Sequence, residues 1–168
     1  RLRAGELVVF PTDTVYGLAA AVNQPAALAR LRAFADRPGT PFTWHAPSVD
    51  AIAAAVSLPP RVHRRLVSKL LPGAVRFVFE QGDDAAATWA KATGVAEASA
   101  MDVIAPDGMI RVRYPRHAIA AALLGEAGTP VVAVGVGREA TCEAADVLID
   151  DGPAPDAKPS TTVELARS

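Results

Sequence analysis

The chain has 168 residues, a mass of 17.4 kDa and a formal net charge of −1, so nothing in its overall charge draws it to nucleic acid. Half of the residues are apolar (51%), which excludes a disordered chain, yet no apolar run approaches the roughly 18 residues of a membrane span. Cys142 is the single cysteine, which excludes an internal disulfide, and His45, His63 and His117 are spaced too widely to read as a metal-ligand set.

The opening Arg1-Leu2-Arg3-Ala4-Gly5-Glu6 is charged and is not a secretory signal; because position 1 is not Met, upstream residues are expected to be missing. Residues 1–168 read as one domain, expected to be soluble and cytoplasmic. Leu7-Val8-Val9-Phe10, closed by Pro11, reads as a buried strand. Residues 25–36 place Leu28, Leu31, Phe34 and Ala35 on one helical face, with Asn23 as the expected cap. A second helix follows Ser48. A third, over residues 61–71, is expected to bury Val62, Leu66, Val67 and Leu70 and to expose Arg61, Arg64, Arg65 and Lys69.

Pro72-Gly73 ends that helix, and residues 74–80 alternate as a strand. Residues 82–108 predict loop plus one short helix. In residues 109–114 the period of two puts Arg111 and Arg113 on one side and Ile110, Val112 and Tyr114 on the other. A helix over 117–126 precedes a buried strand over 130–134, which is expected to open into a Gly135-Val136-Gly137 loop. Short strands are expected at 146–150 and 161–165. This alternation gives an α/β domain built on an open twisted sheet, and no Rossmann glycine fingerprint follows the first strand. Trp44 and Trp89 read as packing groups, Cys142 as a small core residue, His117 as a helix-start surface residue and Arg111 as solvated. The cations of the third helix read as a solvated face, with tRNA phosphates as the alternative.

The densest polar stretch is Pro11-Thr12-Asp13-Thr14-Val15-Tyr16-Gly17-Leu18, set between the first strand and an apparent helical segment. Two hydroxyls, a carboxylate and a phenol are more than a turn requires, and point to binding. This string resembles the signature of the YrdC-like family. The likeness continues in order through Arg37-Pro38 and Pro41, Leu71-Pro72-Gly73, Arg113-Tyr114-Pro115-Arg116-His117, Asp150-Asp151-Gly152 and Pro159-Ser160-Thr161.

The resemblance implies a YrdC-like open twisted mixed sheet with flanking helices. It also implies a chemistry: joining L-threonine, bicarbonate and ATP into threonylcarbamoyl-AMP, which feeds threonylcarbamoyl modification of tRNA adenosine. The attacking group there is a substrate carboxylate, so the protein has to supply position and positive charge rather than a nucleophile. The resemblance assigns catalytic guanidinium roles to Arg37 and Arg113, and the threonine end to Thr12, Asp13, Thr14 and Tyr16. It assigns the nucleotide end to Arg76, Gly135, Gly137, Ser160 and Thr161. Mg2+ would be held mainly by phosphates and water, with no protein metal ligands.

The chain departs from the family pattern at Ala35 (family lysine), Arg76 (family threonine) and Gly135-Val136-Gly137 (family Ser-Ala-Asn). Gly135 and Gly137 can offset the last change only by presenting backbone N–H groups as a nest. Three readings stand at this point: an active synthase; a catalytically impaired ligand-binding module or a domain of a larger fused protein; and an RNA-binding module or partner of a tRNA-modifying enzyme.

Overall fold

The computed structural model describes residues 1–35, 39, 41–56, 58, 61–95, 98–155 and 158–165. After a 3₁₀ turn at Leu2–Ala4 come β1 (Val8–Phe10), β2 (Tyr16–Ala21), α1 (Pro25–Phe34), β3 (Thr43–His45), α2 (Val49–Ala55), α3 (Arg61–Leu70) and β4 (Val75–Glu80). Then follow α4 (Ala85–Thr93), α5 (Ala98–Ile104), β5 (Met109–Arg113), α6 (Ala118–Glu126), β6 (Val131–Gly137), β7 (Val147–Leu148) and β8 (Thr161–Leu165). The strands form one mixed sheet in the order β7-β1-β2-β6-β3-β5-β4-β8, so the expected α/β class holds. Among the described residues no helix is long and apolar enough to cross a membrane.

The two faces of the sheet are covered unequally. One face carries Leu18, Trp44, Phe77, Ile110, Val112 and Val132, and packs against Leu31 of α1, Ile52 of α2, Val67 of α3, Trp89 of α4 and Ile104 of α5. Trp44 and Trp89 meet edge to face with centroids 4.7 Å apart, a geometry that adds roughly 0.5–1.5 kcal/mol beyond area burial. The other face carries Val8, Phe10, Ala19, Ala21, Val131 and Ala133, covered by Ala120, Leu124 and Ala127 in and just after α6. That cover belongs to the β1-β2-β6 half. Over β3, β5 and β4 the same face bears Thr43, His45, Arg113 and Arg76, and the candidate site lies there.

Several expectations are corrected. The Ala-rich run after Tyr16 is a strand: β2 is buried along its whole length between β1 and β6, and that packing overrides helix propensity. α1 stops at Phe34, which is exposed. It starts beneath Gln24 without a side-chain cap, while Asn23 accepts a hydrogen bond from Thr129 Oγ1. α3 buries Val67 and leaves Val62 and Leu70 exposed. Residues 82–108 contain two helices, the first stopped by Gly94 in a left-handed conformation (φ 72°). β3, between Pro41 and Pro47, has no counterpart in the sequence reading. Gly135-Val136-Gly137 continues β6 rather than forming a loop. α2 follows Ser48 as expected, and the Ser48 side chain caps it by accepting from Ala51 N–H at 3.0 Å.

Candidate functional site

A cavity of about 240 Å³ opens on the uncovered half-face, lined by Thr12, Tyr16, Thr43, His45, Arg76, Arg113, Gly135 and Ser160 among others. Its floor is set by strand register. His45 pairs with Arg113, Arg113 with Arg76, and Arg76 with Thr162, so one polar row crosses β3, β5, β4 and β8.

Arg113 ends β5 with its side chain 6% exposed, and its Nη2 donates to Asp13 Oδ1 at 2.6 Å. Its Nε is buried without a partner. Burial lowers the pKa of Arg113 and Asp13 opposes that shift, but a guanidinium stays charged in either case. Arg76, opposite it, donates from Nη2 to Thr162 Oγ1 at 2.8 Å, and its Nε is likewise buried and unpartnered. Burial, then Arg111, pushes its pKa down. Among the described residues no carboxylate pairs with Arg76. The floor therefore holds two cations and one balancing anion.

His45 is buried and packs edge-on to Phe10 at 5.7 Å. Burial first, then the Arg113 charge, holds its pKa down at about 3, so the ring is neutral. Its Nδ1 lies 3.1 Å from the Thr43 carbonyl, which can only accept, so Nδ1 carries the proton and Nε2 is left as an acceptor. A pH dependence follows. An unfolded histidine binds a proton below about pH 6.5, whereas native His45 does so only near 3. Between those values the unfolded state holds the extra proton, so acid favours unfolding and this contribution is full only above about 6.5. Urea midpoints measured between about pH 5 and 7 are expected to rise with pH, and His45→Asn is expected to flatten that rise, by at most about 1.4 kcal/mol per pH unit.

The signature stretch divides its labour. Thr12 Oγ1 donates to Val15 C=O at 2.6 Å and accepts from Thr14 N–H at 3.1 Å, with Thr14 Oγ1 3.2 Å away. Thr12 lines the cavity, while Thr14 is buried in the turn it stabilises. Asp13 faces Arg113. Tyr16 is fully buried, and its hydroxyl donates to Gly152 C=O at 2.6 Å and accepts from Asp151 N–H at 2.9 Å, so it clasps a distant loop.

At the expected nucleotide end, Arg76, Gly135 and Ser160 line the cavity; Gly137 and Thr161 lie outside its lining. Thr161 donates its backbone N–H to Ala74 C=O at 2.9 Å. Gly135 and Gly137 pair with Gly17 and Tyr16 across the ladder, with Val136 as the extra residue of a bulge, so they form no turn-type nest. A Cβ on Gly135 would approach Val15 Cγ2 at 3.2 Å, which keeps that wall bare. Arg37 lies outside the described residues.

The sequence reading missed Thr43, His45 and Thr162. The Thr-Trp-His alternation was the available signal, hidden in a three-residue strand between prolines. The packing readings of Trp44 and Trp89 hold. Arg111, read as solvated, is largely buried and pairs with Asp107 at 2.7 Å. His117, read as a surface residue, is mostly buried at the N-cap of α6, 3.3 Å from Asp151. Cys142 is partly buried against the core.

A protein-family model for Sua5/YciO/YrdC, described as "Telomere recombination", matches residues 1–168. The chain is 28% identical over 133 residues to a threonylcarbamoyl-AMP synthase of Bacillus subtilis, covering 79% of this chain and 35% of that one. It is 29% identical over 177 residues to a putative threonylcarbamoyl-AMP synthase of Mycobacterium tuberculosis, covering 98% and 75%. Among solved structures, P. abyssi Sua5 complexed with L-threonine superposes with a TM-score of 0.76 at 23% identity, covering 98% of this chain and 48% of that one. E. coli YciO gives 0.78 at 21%, covering 99% and 81%. The chain thus spans about a third of the B. subtilis relative and about half of the P. abyssi protein.

Proposed function

This chain belongs to the Sua5/YciO/YrdC family, and from that premise we propose that its cavity joins L-threonine, bicarbonate and ATP into threonylcarbamoyl-AMP. The observation that carries this reading is the His45–Arg113–Arg76 row on the floor of one cavity, with Asp13 balancing only one of its two guanidiniums. Such a floor favours an anionic ligand, and a neutral histidine beside it can accept a proton donor from the same ligand.

The threonine amine condenses with bicarbonate, losing water, to give a carbamate. A carbamate oxygen then bonds to the α-phosphorus of ATP as the bond to the β-phosphate bridging oxygen breaks, and pyrophosphate leaves. Arg113, steadied by Asp13, would hold the amino-acid carboxylate, with Thr12, Thr43 and His45 Nε2 around its amine and hydroxyl. Arg76 and Ser160 would face the phosphates, in the place the resemblance gives to a threonine. Among the described residues no three His, Cys, Asp or Glu side chains converge to hold a metal, so Mg2+ would enter on the phosphates and neutralise part of their charge. A product destined for tRNA adenosine carries with it a cytoplasmic location and a tRNA-modifying partner enzyme.

Calorimetry tests the site. L-threonine is expected to bind, and to bind more tightly once ATP–Mg2+ is present; absence of threonine binding contradicts the reading. A second reading, a threonine-binding module that has lost the nucleotide, is favoured by one observation: positions 135–137 offer neither hydroxyl nor amide side chains and are engaged in the β2–β6 ladder. Threonine binding that is indifferent to ATP would support it.

A further inference from the structure

Between α6 and the β7 edge of the sheet, we infer that the chain carries a docking face for a second copy of itself. The face is a groove of about 430 Å³ lined by Leu2, Ile119, Leu123, Val147 and Ile149, with the charged side chains of Arg3 and Glu126 in the same lining. It shares no lining residue with the candidate site, so its role does not depend on the chemistry proposed there.

The sequence of α6 calls for more cover than the fold supplies. Its residues before Glu126 are all Ala, Ile, Leu or Gly, so Glu126 is its one polar side chain. A helix that is apolar around its whole circumference belongs inside a protein. Here Ala120 and Leu124 are buried against the sheet, while Ala118, Ala122 and Gly125 are exposed and Ile119 and Leu123 are half-buried. Next to the groove, Leu148 of β7 is 52% exposed, and β7 is an edge strand with no neighbour on its outer side among the described residues.

The charges identify the occupant. Arg3 and Glu126 are both exposed and line the same groove, yet among the described residues neither forms an ion pair. Glu126 does not serve its own helix, because a carboxylate in the last turn opposes the macrodipole. Arg3 lies at that same end, its Nη1 3.6 Å from where a Cβ on Gly128 would stand. Arg1, the other cation of the lining, is already paired with Glu6. A partner of a single charge sign would satisfy one of the two free groups and strand the other. A second copy satisfies both. With a two-fold axis running along α6, like ends of the two grooves meet, and Arg3 of each copy faces Glu126 of the partner subunit. The apolar walls then close on each other beside a polar rim, the usual anatomy of a protein interface.

The test is sedimentation equilibrium of the intact chain from about 1 to 100 μM, the range in which a dimer of micromolar affinity forms. The parent is expected to dimerise. Arg3→Glu and Glu126→Arg are each expected to weaken the dimer by roughly tenfold or more, because each sets like charges opposite one another at both ends of the two-fold. Glu126→Arg also places a cation where the α6 dipole favours one, so this variant is expected to melt no lower than the parent, which separates lost association from lost folding. Arg3→Glu/Glu126→Arg exchanges the two signs and is expected to restore the dimer. Ala122→Glu, which adds charge to the exposed side of α6, is expected to leave a monomer. A parent chain that is monomeric throughout overturns the inference and leaves the groove to a different protein. A dimer that none of these variants disturbs, or one that the double exchange fails to restore, overturns it as well.

Discussion

Replacing Arg113 with Met is expected to cost about 3–5 kcal/mol of folding stability and to abolish threonine binding. The loss comes less from the ion pair itself than from what remains: Asp13, with a side chain only 15% exposed, keeps its carboxylate on a cavity floor without its partner. The matching check is Arg113→Met/Asp13→Leu, which removes both charges and is expected to recover much of the stability but none of the binding. Urea denaturation with an unchanged m-value reads the first quantity and calorimetry the second. If the single and double variants are equally unstable, Arg113 is a packing group and the pair does not govern the site.

Arg76 gives the opposite signature. Arg76→Thr, which restores the residue implied by the family resemblance, is expected to weaken ATP or pyrophosphate binding by roughly 10–100-fold, since a hydrogen bond to a charged group contributes about 1.5–3 kcal/mol. Threonine binding should hardly change. Folding stability should stay level or rise, because the substitution removes a partly buried cation that faces Arg113 and Arg111 without a carboxylate of its own. A drop in stability with unaltered pyrophosphate binding would mean that Arg76 serves chiefly to join β4 to β8 through Thr162.

The two arginines also mark how far the sequence can be read. The alternation around Arg111, Arg113 and Arg76 is local, and both strands appear where period and composition put them. Which strands lie side by side is not local. The row from His45 to Thr162 depends on β3 pairing with β5 and β4 with β8, contacts between residues far apart in the chain. β2 misleads because its alanines favour a helix when taken alone, and only burial between two other strands makes them extended. In the signature, residue types pointed to a polar site, but not to which hydroxyls are spent internally: Thr12 lines the cavity yet its hydroxyl holds the backbone of Thr14 and Val15, Thr14 Oγ1 meets only Thr12 Oγ1, and the Tyr16 hydroxyl holds the backbone of Asp151 and Gly152. His45 carries no local signal beyond the three-residue Thr-Trp-His alternation. It matters only because a three-residue strand sets it against Arg113.

The central claim is most directly tested by pyrophosphate release from the purified chain given ATP–Mg2+, L-threonine and bicarbonate together and with each omitted in turn. Release that requires all three, and that falls steeply in Arg113→Met and Arg76→Thr, is the predicted result. No release with all three present, while L-threonine still binds, would contradict synthesis and leave a threonine-binding module on the same fold.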